Sequence, residues 1–484
     1  MRALLLEKMT SCYREFKQPV KASFWFLICG FLQKGVSMLT TPIFTRVMTE
    51  AEYGEFAAYH SWFSMLQIIV SLNLAAGVYT RGLIKNEDDQ DRFSSSMLGL
   101  STTCILVWSG VYALFHDAVN GVISMSTPLM AALLVDIWAH AAFQFWSNRE
   151  RVNYRYQRLA ALTVTYVFLR PAVGVAAVLL AEPQQQMEAR VLATVLGNVL
   201  LFSGLFFAVF KSGKQFFHKE YWRYALRFNI PLLPHYLSQV VLNQSDRVMI
   251  RDICGASDAA YYSVAYTLAA VLQILNTSIS ATMNPWIYQS IKKNELKKIG
   301  DVSYAVLGLI AAANLMLVLT APELLRVLAP ERYQAAVWAI PPVTVSIYFS
   351  FLYNLFATFG FYYEKTQYVM LASVLGAGIN IVLNLIFIPR YGFVAAGYTT
   401  LFCYILYAAA HYCLMRYVNW KNMNGNTAYR PVVLLAVGGA LLAASGLAML
   451  FYRLPLVRYG LLLLLVIALL CIRKPLIRIL RGMN

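Results

Sequence analysis

The stretch NQSDRVMI, Asn243–Ile250, ends a long apolar run that reads YALRFNIPLLPHYLSQVVL, Tyr224–Leu242. A similar ending, TRVM at Thr45–Met48, closes another apolar run about two hundred residues earlier. Charged residues are rare in this chain, so their placement at the ends of two apolar runs calls for an explanation. The explanation decides both the fold and the function.

Aligning the two Arg-Val-Met triplets places Arg46 against Arg247 and Thr45 against Asp246. A connection rich in acidic residues and tyrosine follows each triplet: TEAEYGEFAAY in the first case, RDICGASDAAYYSVAY in the second. The pattern predicts a weak internal repeat with both copies in the same orientation. Parallel repeats around an axis along the membrane normal are a common transporter plan, with the substrate site between the halves.

The composition places the chain in a membrane. Of its 484 residues, 59% are hydrophobic and 13% are charged, whereas soluble domains carry about 25% charge. Apolar segments of the length that crosses a bilayer recur along the chain. We therefore predict an all-α, polytopic integral membrane protein with about 14 transmembrane helices. The predicted spans are 21–43, 54–77, 94–115, 121–146, 159–181, 189–210, 225–249, 259–283, 302–321, 335–358, 367–388, 393–416, 430–452 and 457–473.

The net charge of +17 does not indicate nucleic-acid binding. With the N-terminus inside, most of the 40 Lys and Arg fall in the inner connections and tails, and no lysine falls outside. This is the positive-inside bias. It predicts a multi-pass membrane protein with both termini in the cytoplasm, and no nucleic-acid partner.

The repeat and the spans predict an N-lobe over 1–210, a C-lobe over 211–416, and two additional C-terminal helices with a basic tail over 417–484. Every outer connection is short, which leaves no room for an external domain. The seven cysteines form no CxxC pattern, and the chain has no nucleotide-binding motif. We expect no metal and no cofactor.

Three charged residues are expected deep within spans, where a charge is costly and normally faces a cavity or a partner. Lys34 and Arg170 are predicted to contact an anion, with buried ion pairs as the alternative. Asp136 is either the partner in such a pair or a proton carrier. His140, one turn further along the same helix face, is expected to be hydrogen-bonded or to relay protons.

The seventh span carries two prolines, in PLLPHY, which are predicted to interrupt its hydrogen-bond ladder twice. His235, Gln239, Asn243 and Asp246 then recur every three to four positions, so they share one face. This stripe is predicted to face water or substrate, with polar adhesion between helices as the alternative.

Arg46 and Arg247 are each explained by interfacial anchoring, but their matched placement predicts a joint role at the outer mouth. Asp246 is expected to neutralise Arg247 locally. Tyrosines near the start of the eighth span fit a membrane interface, and also fit stacking on sugar rings.

The seventh and eighth spans, together with the NPWIY segment Asn284–Tyr288 and the earlier TPIFTRVMTEAEYGEF, resemble the Wzx-type flippases. These belong to the polysaccharide transporter branch of the MOP superfamily. The resemblance implies alternating access by two lobes. It also implies transport of undecaprenyl-diphosphate-linked oligosaccharide for O-antigen, capsule or exopolysaccharide, without enzymatic activity. The implied partners are this lipid-linked substrate, the lipid bilayer, a polysaccharide polymerase and other assembly proteins.

In such relatives a cationic central cavity receives the diphosphate-sugar headgroup. By position, the cations Lys34, Arg46, Arg170 and Arg247 are candidates here, with Gln239 and Asn243 as further substrate contacts. The candidates for ion coupling are Asp136, Asp246 and His235. The competing functions are a multidrug or small-molecule exporter of the same superfamily, and a membrane polymerase or ligase.

Overall fold

The computed structural model describes residues 18–423 and 425–481, with some side chains within these ranges, including that of Lys34, left outside the description. The described part contains α-helices and short 3-10 turns and no β-strand. It falls into two compact units. Unit 1 comprises the described residues up to Met48 and Trp62–Leu237, and unit 2 comprises Thr49–Ser61 and the chain from Ser238 onward.

Nine α-helices of the described part begin before Ser238. They are α1 Gln18–Val47, α2 Glu50–Val70, α3 Val78–Lys85, α4 Gln90–Ile123, α5 Thr127–Val152, α6 Tyr156–Leu180, α7 Gln186–Gly213, α8 Lys219–Asn229 and α9 Leu233–Cys254. The remaining helices are α10 Ala256–Lys292, α11 Leu296–Leu328, α12 Ile340–Tyr362, α13 Thr366–Tyr391, α14 Val394–Asn422, α15 Pro431–Leu450 and α16 Pro455–Arg481.

Each predicted span overlaps a long helix, and 12 helices of the described part are long and apolar enough to cross a membrane. The other two predicted spans correspond to α2 and α9, which have 21 and 22 residues. Both are long enough to span, but each carries several charged and polar residues. The chain is therefore an all-α, polytopic membrane protein with about 14 membrane helices. The bounds of the predicted lobes stay a prediction.

The seventh span differs in detail from its prediction. Residues 225–249 are not one interrupted helix, because α8 and α9 are separate helices joined by the 3-10 turn Ile230–Leu232. Pro231 lies in that turn, and Pro234 is the second residue of α9. A proline in a first helical turn costs little, since the N–H that it lacks has no intrahelical acceptor there. The predicted interruption of the ladder is therefore found at this segment, but as one 3-10 turn and not as two breaks.

Unit 1 has aromatic packing at its centre. Tyr79 of α3, Phe93 of α4 and Phe145 of α5 are fully buried in one cluster, and Ala225 of α8 completes it. The short helices α3 and α8 thus pack against membrane helices, although the sequence predicts only connections around residues 81–92 and 211–223. A second cluster, with Phe143 of α5, Tyr166 of α6 and Phe202 of α7, lies beside the cavity described below.

Unit 2 is built around α12, where 89% of the span is buried, whereas only 6% of the α16 span is buried. The C-terminal helix is fixed to this unit by Arg458. Its guanidinium donates to both carboxylate oxygens of Glu323 on α11, at 2.7 Å each, and to the carbonyl of Leu319. Within unit 2, α16 therefore packs against α11 through a paired charge as well as through apolar contact.

The first residues of α2 lie against α10 within unit 2. A Cβ atom placed on Gly54 would overlap the carbonyl oxygen of Ala256, so this position requires a residue without a side chain. Two ion pairs flank the contact, between Arg251 and Glu55 at 3.5 Å and between Arg332 and Glu50 at 3.6 Å. The Glu-Tyr-Gly segment of the sequence is thereby explained as a close helix contact.

Gly54→Val is expected to lower the melting temperature of the purified protein. The valine side chain would overlap the backbone of Ala256, which cannot move aside as a flexible side chain could. Overpacking of this kind costs about 1–3 kcal/mol. The measurement is thermal unfolding in detergent, and the control is Gly110→Val, since a Cβ at Gly110 meets no described atom within 4 Å. Equal melting temperatures for the two variants would contradict the close contact.

Candidate functional site

Unit 1 contains a cavity of about 220 Å³ between α1, α5 and α6. Its lining residues are Gln33, Val36, His140, Phe143, Tyr166, Val167, Arg170 and Pro171. The Arg170 guanidinium donates to the hydroxyl of Tyr166 at 2.9 Å, one turn earlier on the same helix. α6 continues as one helix through Pro171. Because Arg170 stands near the middle of this helix, a guanidinium is placed beside a cavity at membrane depth.

The side chain of Asp136 is hydrogen-bonded to a neutral partner. Its carboxylate is buried and accepts a hydrogen bond from the side-chain amide of Asn198 on α7, at 2.6 Å. The alternative, a direct ion pair between Arg170 and Asp136, is therefore not formed. Asp136 bonds to Asn198, and Arg170 bonds to Tyr166. The Arg170 guanidinium at the cavity is therefore not neutralised by direct contact with the Asp136 carboxylate.

His140 lies on the wall of the same cavity, among aromatic rings. The ring centroids of Phe63, Tyr166 and Phe202 are 5.7, 6.4 and 6.1 Å from that of His140. Gln33 of α1 reaches the cavity as well, next to Lys34 in the chain. The backbone of Lys34 lies in α1, and its side chain is outside the described residues. Its predicted contact with an anion stays a prediction.

In unit 2, Asp246 of α9 is held by three neutral donors. Its Oδ2 accepts from the hydroxyls of Tyr262 at 2.5 Å and Thr400 at 2.8 Å. Its Oδ1 accepts from the amide of Asn384 at 2.7 Å. Asn380 donates to Thr400 at 3.2 Å and extends the network. The carboxylate is 1% exposed, so α9, α10, α13 and α14 meet at a buried, hydrogen-bonded acid.

The predicted local neutralisation of Arg247 by Asp246 does not take the form of a direct ion pair. Arg247 donates to the carbonyl of Asn243 at 2.8 Å and to the side chain of Gln244 at 2.9 Å, and its guanidinium lies 4.2 Å from the ring centroid of Tyr266. The Asp246 carboxylate is directed instead to Tyr262, Thr400 and Asn384, on other helices. The arginine interacts with an aromatic ring and with backbone instead.

The rest of the polar stripe also binds neighbouring helices. The Asn243 side-chain oxygen accepts from the hydroxyls of Tyr266 and Tyr404, each at 3.0 Å. Gln239 is 3.4 Å from both Tyr353 and Ser373. These bonds fit the alternative of polar adhesion between helices. The role of Gln239 and Asn243 in substrate binding stays a prediction.

The two repeated arginines share one local geometry. Arg46 donates to the carbonyl of Pro42 at 2.8 Å, and Arg247 donates to that of Asn243 at the same distance, in both cases four residues back. Their exposure differs, since Arg46 is exposed and Arg247 is buried. His235 lies in unit 1 with its ring 6.0 Å from that of Tyr236, so it is not part of the Asp246 network.

The comparisons with known proteins agree with this architecture. The family model described as "Polysaccharide biosynthesis protein" matches residues 20–291, and the MatE model matches residues 231–386. The chain belongs to the polysaccharide biosynthesis protein family. It is also 23% identical to the "Lsg locus putative protein 1" of Haemophilus influenzae over 391 residues, which covers 75% of this chain and 89% of that protein.

The fold of this family member resembles that of solved transporters. A lipid II flippase, MurJ, in an inward closed conformation, matches with a TM-score of 0.67 at 13% identity and covers 92% of this chain and 98% of its own. An inward-facing multidrug resistance MATE transporter of the MOP superfamily matches with a TM-score of 0.54 at 10% identity, covering 83% and 96%. The resemblance to the polysaccharide branch of the MOP superfamily is confirmed, and the family and fold indicate a transporter rather than an enzyme.

Sequence reasoning missed the donors that hold Asp246 in this family member. Asn380 and Asn384 lie one turn apart on α13, and Thr400 lies on α14. The signal is present in GINIVLNLIF, where two amides at a spacing of four interrupt an otherwise apolar span. Among the described residues no group of three or more His, Cys, Asp or Glu forms a metal site.

Proposed function

We propose that this protein is a flippase that moves undecaprenyl-diphosphate-linked oligosaccharide from the inner to the outer leaflet of the bacterial cytoplasmic membrane. Its product serves the synthesis of O-antigen, capsule or exopolysaccharide. The lobes open alternately, both termini lie in the cytoplasm, and a polysaccharide polymerase and other assembly proteins act with it. The observation that carries the proposal is the guanidinium of Arg170 at a cavity in the middle of a membrane helix.

The chemistry of the substrate requires such a group. A diphosphate cannot enter hydrocarbon without paired charges, because an isolated buried ion is strongly disfavoured. An arginine fork matches the oxygens of a phosphate and binds them through charge-assisted hydrogen bonds. The prenyl chain can stay in the lipid while the headgroup crosses through protein. The match to the polysaccharide biosynthesis model and the fold shared with a lipid II flippase support the same class of substrate.

The alternative is an exporter of multidrug type, since MATE transporters share the fold. An exporter of organic cations would present an acid to its substrate. In unit 1 the carboxylate of Asp136 is buried against Asn198, while Arg170 lines the cavity. The charge that faces the cavity thus favours an anionic substrate.

The proposed function is tested by reconstitution into liposomes. The inner and outer pools of an undecaprenyl-diphosphate-linked oligosaccharide are distinguished by a membrane-impermeant glycosidase, and ethidium serves as the cationic probe. We expect protein-dependent exchange of the lipid-linked sugar, and no protein-dependent movement of ethidium. Transport of ethidium without flipping of the lipid would establish the exporter instead.

A further inference from the structure

One face of α10, in unit 2, carries polar residues along most of the length of the helix. They recur at spacings of three, four and seven, so they lie on one side of the helix. They are Tyr266, Gln273, Thr277, Ser280, Asn284 and Tyr288. From residue 266 to residue 288 the helix rises about 33 Å, close to the roughly 30 Å of a hydrocarbon core. We call this set the neutral track, because α10 has no charged residue between Asp258 and Lys292.

The packing of unit 2 does not account for the neutral track. α10 packs against α11 and α12, and its other side joins the apolar core of the unit. A polar residue on that packed side, Asn276, is buried and donates to the carbonyl of Ile347 on α12 at 2.8 Å. Gln273, Thr277 and Tyr288 are exposed instead. Polar adhesion between helices therefore explains Asn276 but not the exposed members of the track.

The most informative member is Gln273, near the middle of this helix of 37 residues. The hydroxyl of Thr277 donates to the backbone carbonyl of Gln273 at 2.8 Å, and such a bond makes a threonine compatible with lipid. The side-chain amide of Gln273 forms no hydrogen bond with any residue that the structure describes. An amide without a partner is costly in hydrocarbon. This side of α10 is therefore expected to face water or a polar ligand.

The NPWIY segment, Asn284–Tyr288, supplies further polar groups at the predicted cytoplasmic end of α10. Pro285 lies inside the helix and has no N–H, so the carbonyl of Ala281 lacks its usual donor in the helix. The Asn284 side-chain oxygen accepts from the hydroxyl of Thr358 at 3.3 Å. This bond directs the oxygen of the amide toward α12 and leaves its N–H groups as donors. The segment thus offers donors, an acceptor and the exposed ring of Tyr288.

At its other end the neutral track meets a cation. The hydroxyl of Tyr266 donates to the side chain of Asn243 at 3.0 Å, and the Arg247 guanidinium lies 4.2 Å from the centroid of the same ring. Asn243 and Arg247 belong to α9 and are among the predicted substrate contacts. The track therefore continues from these two residues toward the cytoplasmic end of unit 2.

The chemistry of the neutral track matches a sugar better than a phosphate or an organic cation. Hydroxyl and amide side chains both donate and accept hydrogen bonds, as the hydroxyls of a sugar do. A tyrosine presents an apolar ring face together with a polar hydroxyl. A diphosphate is matched by arginine or lysine, and an organic cation by a carboxylate. The track has neither kind of charge, so it is complementary to a neutral ligand rich in hydroxyl groups.

We propose that the neutral track of α10 binds the oligosaccharide of the lipid-linked substrate while the headgroup crosses the membrane. This inference rests on the proposed function and assigns the sugar, rather than the diphosphate, to a surface of unit 2. Neutral hydrogen bonds are individually weak, at a net 0.5–1.5 kcal/mol in general. A series of such contacts across the membrane depth lets a sugar exchange one for the next as it moves.

Flipping in liposomes tests the track with two matched double variants. Gln273→Leu/Ser280→Ala removes one exposed glutamine and one half-buried serine from the track. Ser278→Ala/Gln289→Leu removes the same two residue types, with the same exposure, from another side of α10. Flipping of undecaprenyl-diphosphate-linked oligosaccharide should fall about 10-fold in the first variant and stay within about 2-fold of the wild type in the second. Melting temperatures of both variants show that each is folded.

Cysteine labelling gives a readout that a purely structural role would not change. Gln273→Cys and Val271→Cys each replace an exposed residue, on the track and on another side of the helix respectively. A membrane-impermeant maleimide should label Gln273→Cys above the level of the wild type, which has seven cysteines, and should not label Val271→Cys above it. The lipid-linked oligosaccharide should slow the labelling of Gln273→Cys about 5-fold, and undecaprenyl diphosphate without sugar should not.

Three results would overturn the inference while the wild type flips the lipid: equal rates for the two double variants, no excess labelling of Gln273→Cys, or equal protection by undecaprenyl diphosphate without sugar. The second result would place lipid or another helix on this face, and the third would place the phosphate there. A wild type that does not flip the lipid-linked oligosaccharide refutes the proposed function, and the inference with it. The two kinds of failure are therefore distinguishable.

Discussion

Arg170→Ala is expected to abolish export of surface polysaccharide while the amount of protein in the membrane stays normal. The variant removes the guanidinium that lines the cavity of unit 1 and bonds to Tyr166. Removing one partner of a buried charged contact costs about 2–5 kcal/mol. Each 1.4 kcal/mol corresponds to a factor of ten, so flipping in liposomes should fall by roughly 30-fold or more. Lys34→Ala is expected to act in the same way.

We attribute the loss of flipping in Arg170→Ala to the loss of the positive charge at position 170. Two further variants test this explanation. Arg170→Lys keeps the charge but loses the planar fork, so it should restore part of the activity. Arg227→Ala removes an exposed arginine of α8, which is expected to act as an interfacial anchor, and should leave flipping near the level of the wild type. Normal export by both Arg170→Ala and Lys34→Ala would contradict the cationic cavity.

The number and order of the membrane helices could be predicted from sequence because the length of an apolar segment is set by the thickness of the bilayer. The exact form of the seventh span could not. The prolines of PLLPHY indicate an interruption, but neither they nor hydropathy show that Ile230–Leu232 forms one 3-10 turn between two separate helices. α8 escaped prediction for a related reason. Its basic residues mark it as a connection, although Trp222 and Ala225 pack into unit 1.

The candidate site shows a sharper limit of the sequence. An ionisable residue deep within a span can be recognised from sequence because its burial is costly, and Asp136 and Arg170 were selected on that ground, whereas Asp246 was selected from the repeat and the polar stripe. The partner of such a residue cannot be predicted in the same way, because periodicity indicates which residues share a face of one helix but not which helix lies opposite. The bonds of Asp246 reach Asn384 and Thr400, 138 and 154 residues away in the chain. Asp246 makes no direct ion pair with the adjacent Arg247, because its carboxylate bonds to donors on three other helices.

Asp246→Asn and Asp246→Ala should separate the charge of this residue from its hydrogen bonds. In the alanine variant, Tyr262, Asn384 and Thr400 lose their common acceptor. Each buried donor left without a partner costs about 1–3 kcal/mol, so we expect a clear fall in melting temperature. Asparagine keeps an oxygen toward Asn384, and the hydroxyls of Tyr262 and Thr400 can rotate to accept from its amide. That variant should melt near the wild type.

Transport by the two variants then decides the role of the acid. If Asp246 couples an ion to the movement of the lobes, Asp246→Asn should lose flipping although its stability is retained, because the amide cannot carry the charge. The repeat supplies a matched control. Thr45 occupies the equivalent position in the first copy, and its hydroxyl bonds within its own helix to Thr41 at 2.9 Å. Thr45→Ala removes no charge, so it should retain flipping under conditions in which Asp246→Asn loses it. Flipping by Asp246→Asn at the rate of the wild type would leave the carboxylate a purely structural role, joining α9 to α10, α13 and α14 through hydrogen bonds that a neutral amide can also make.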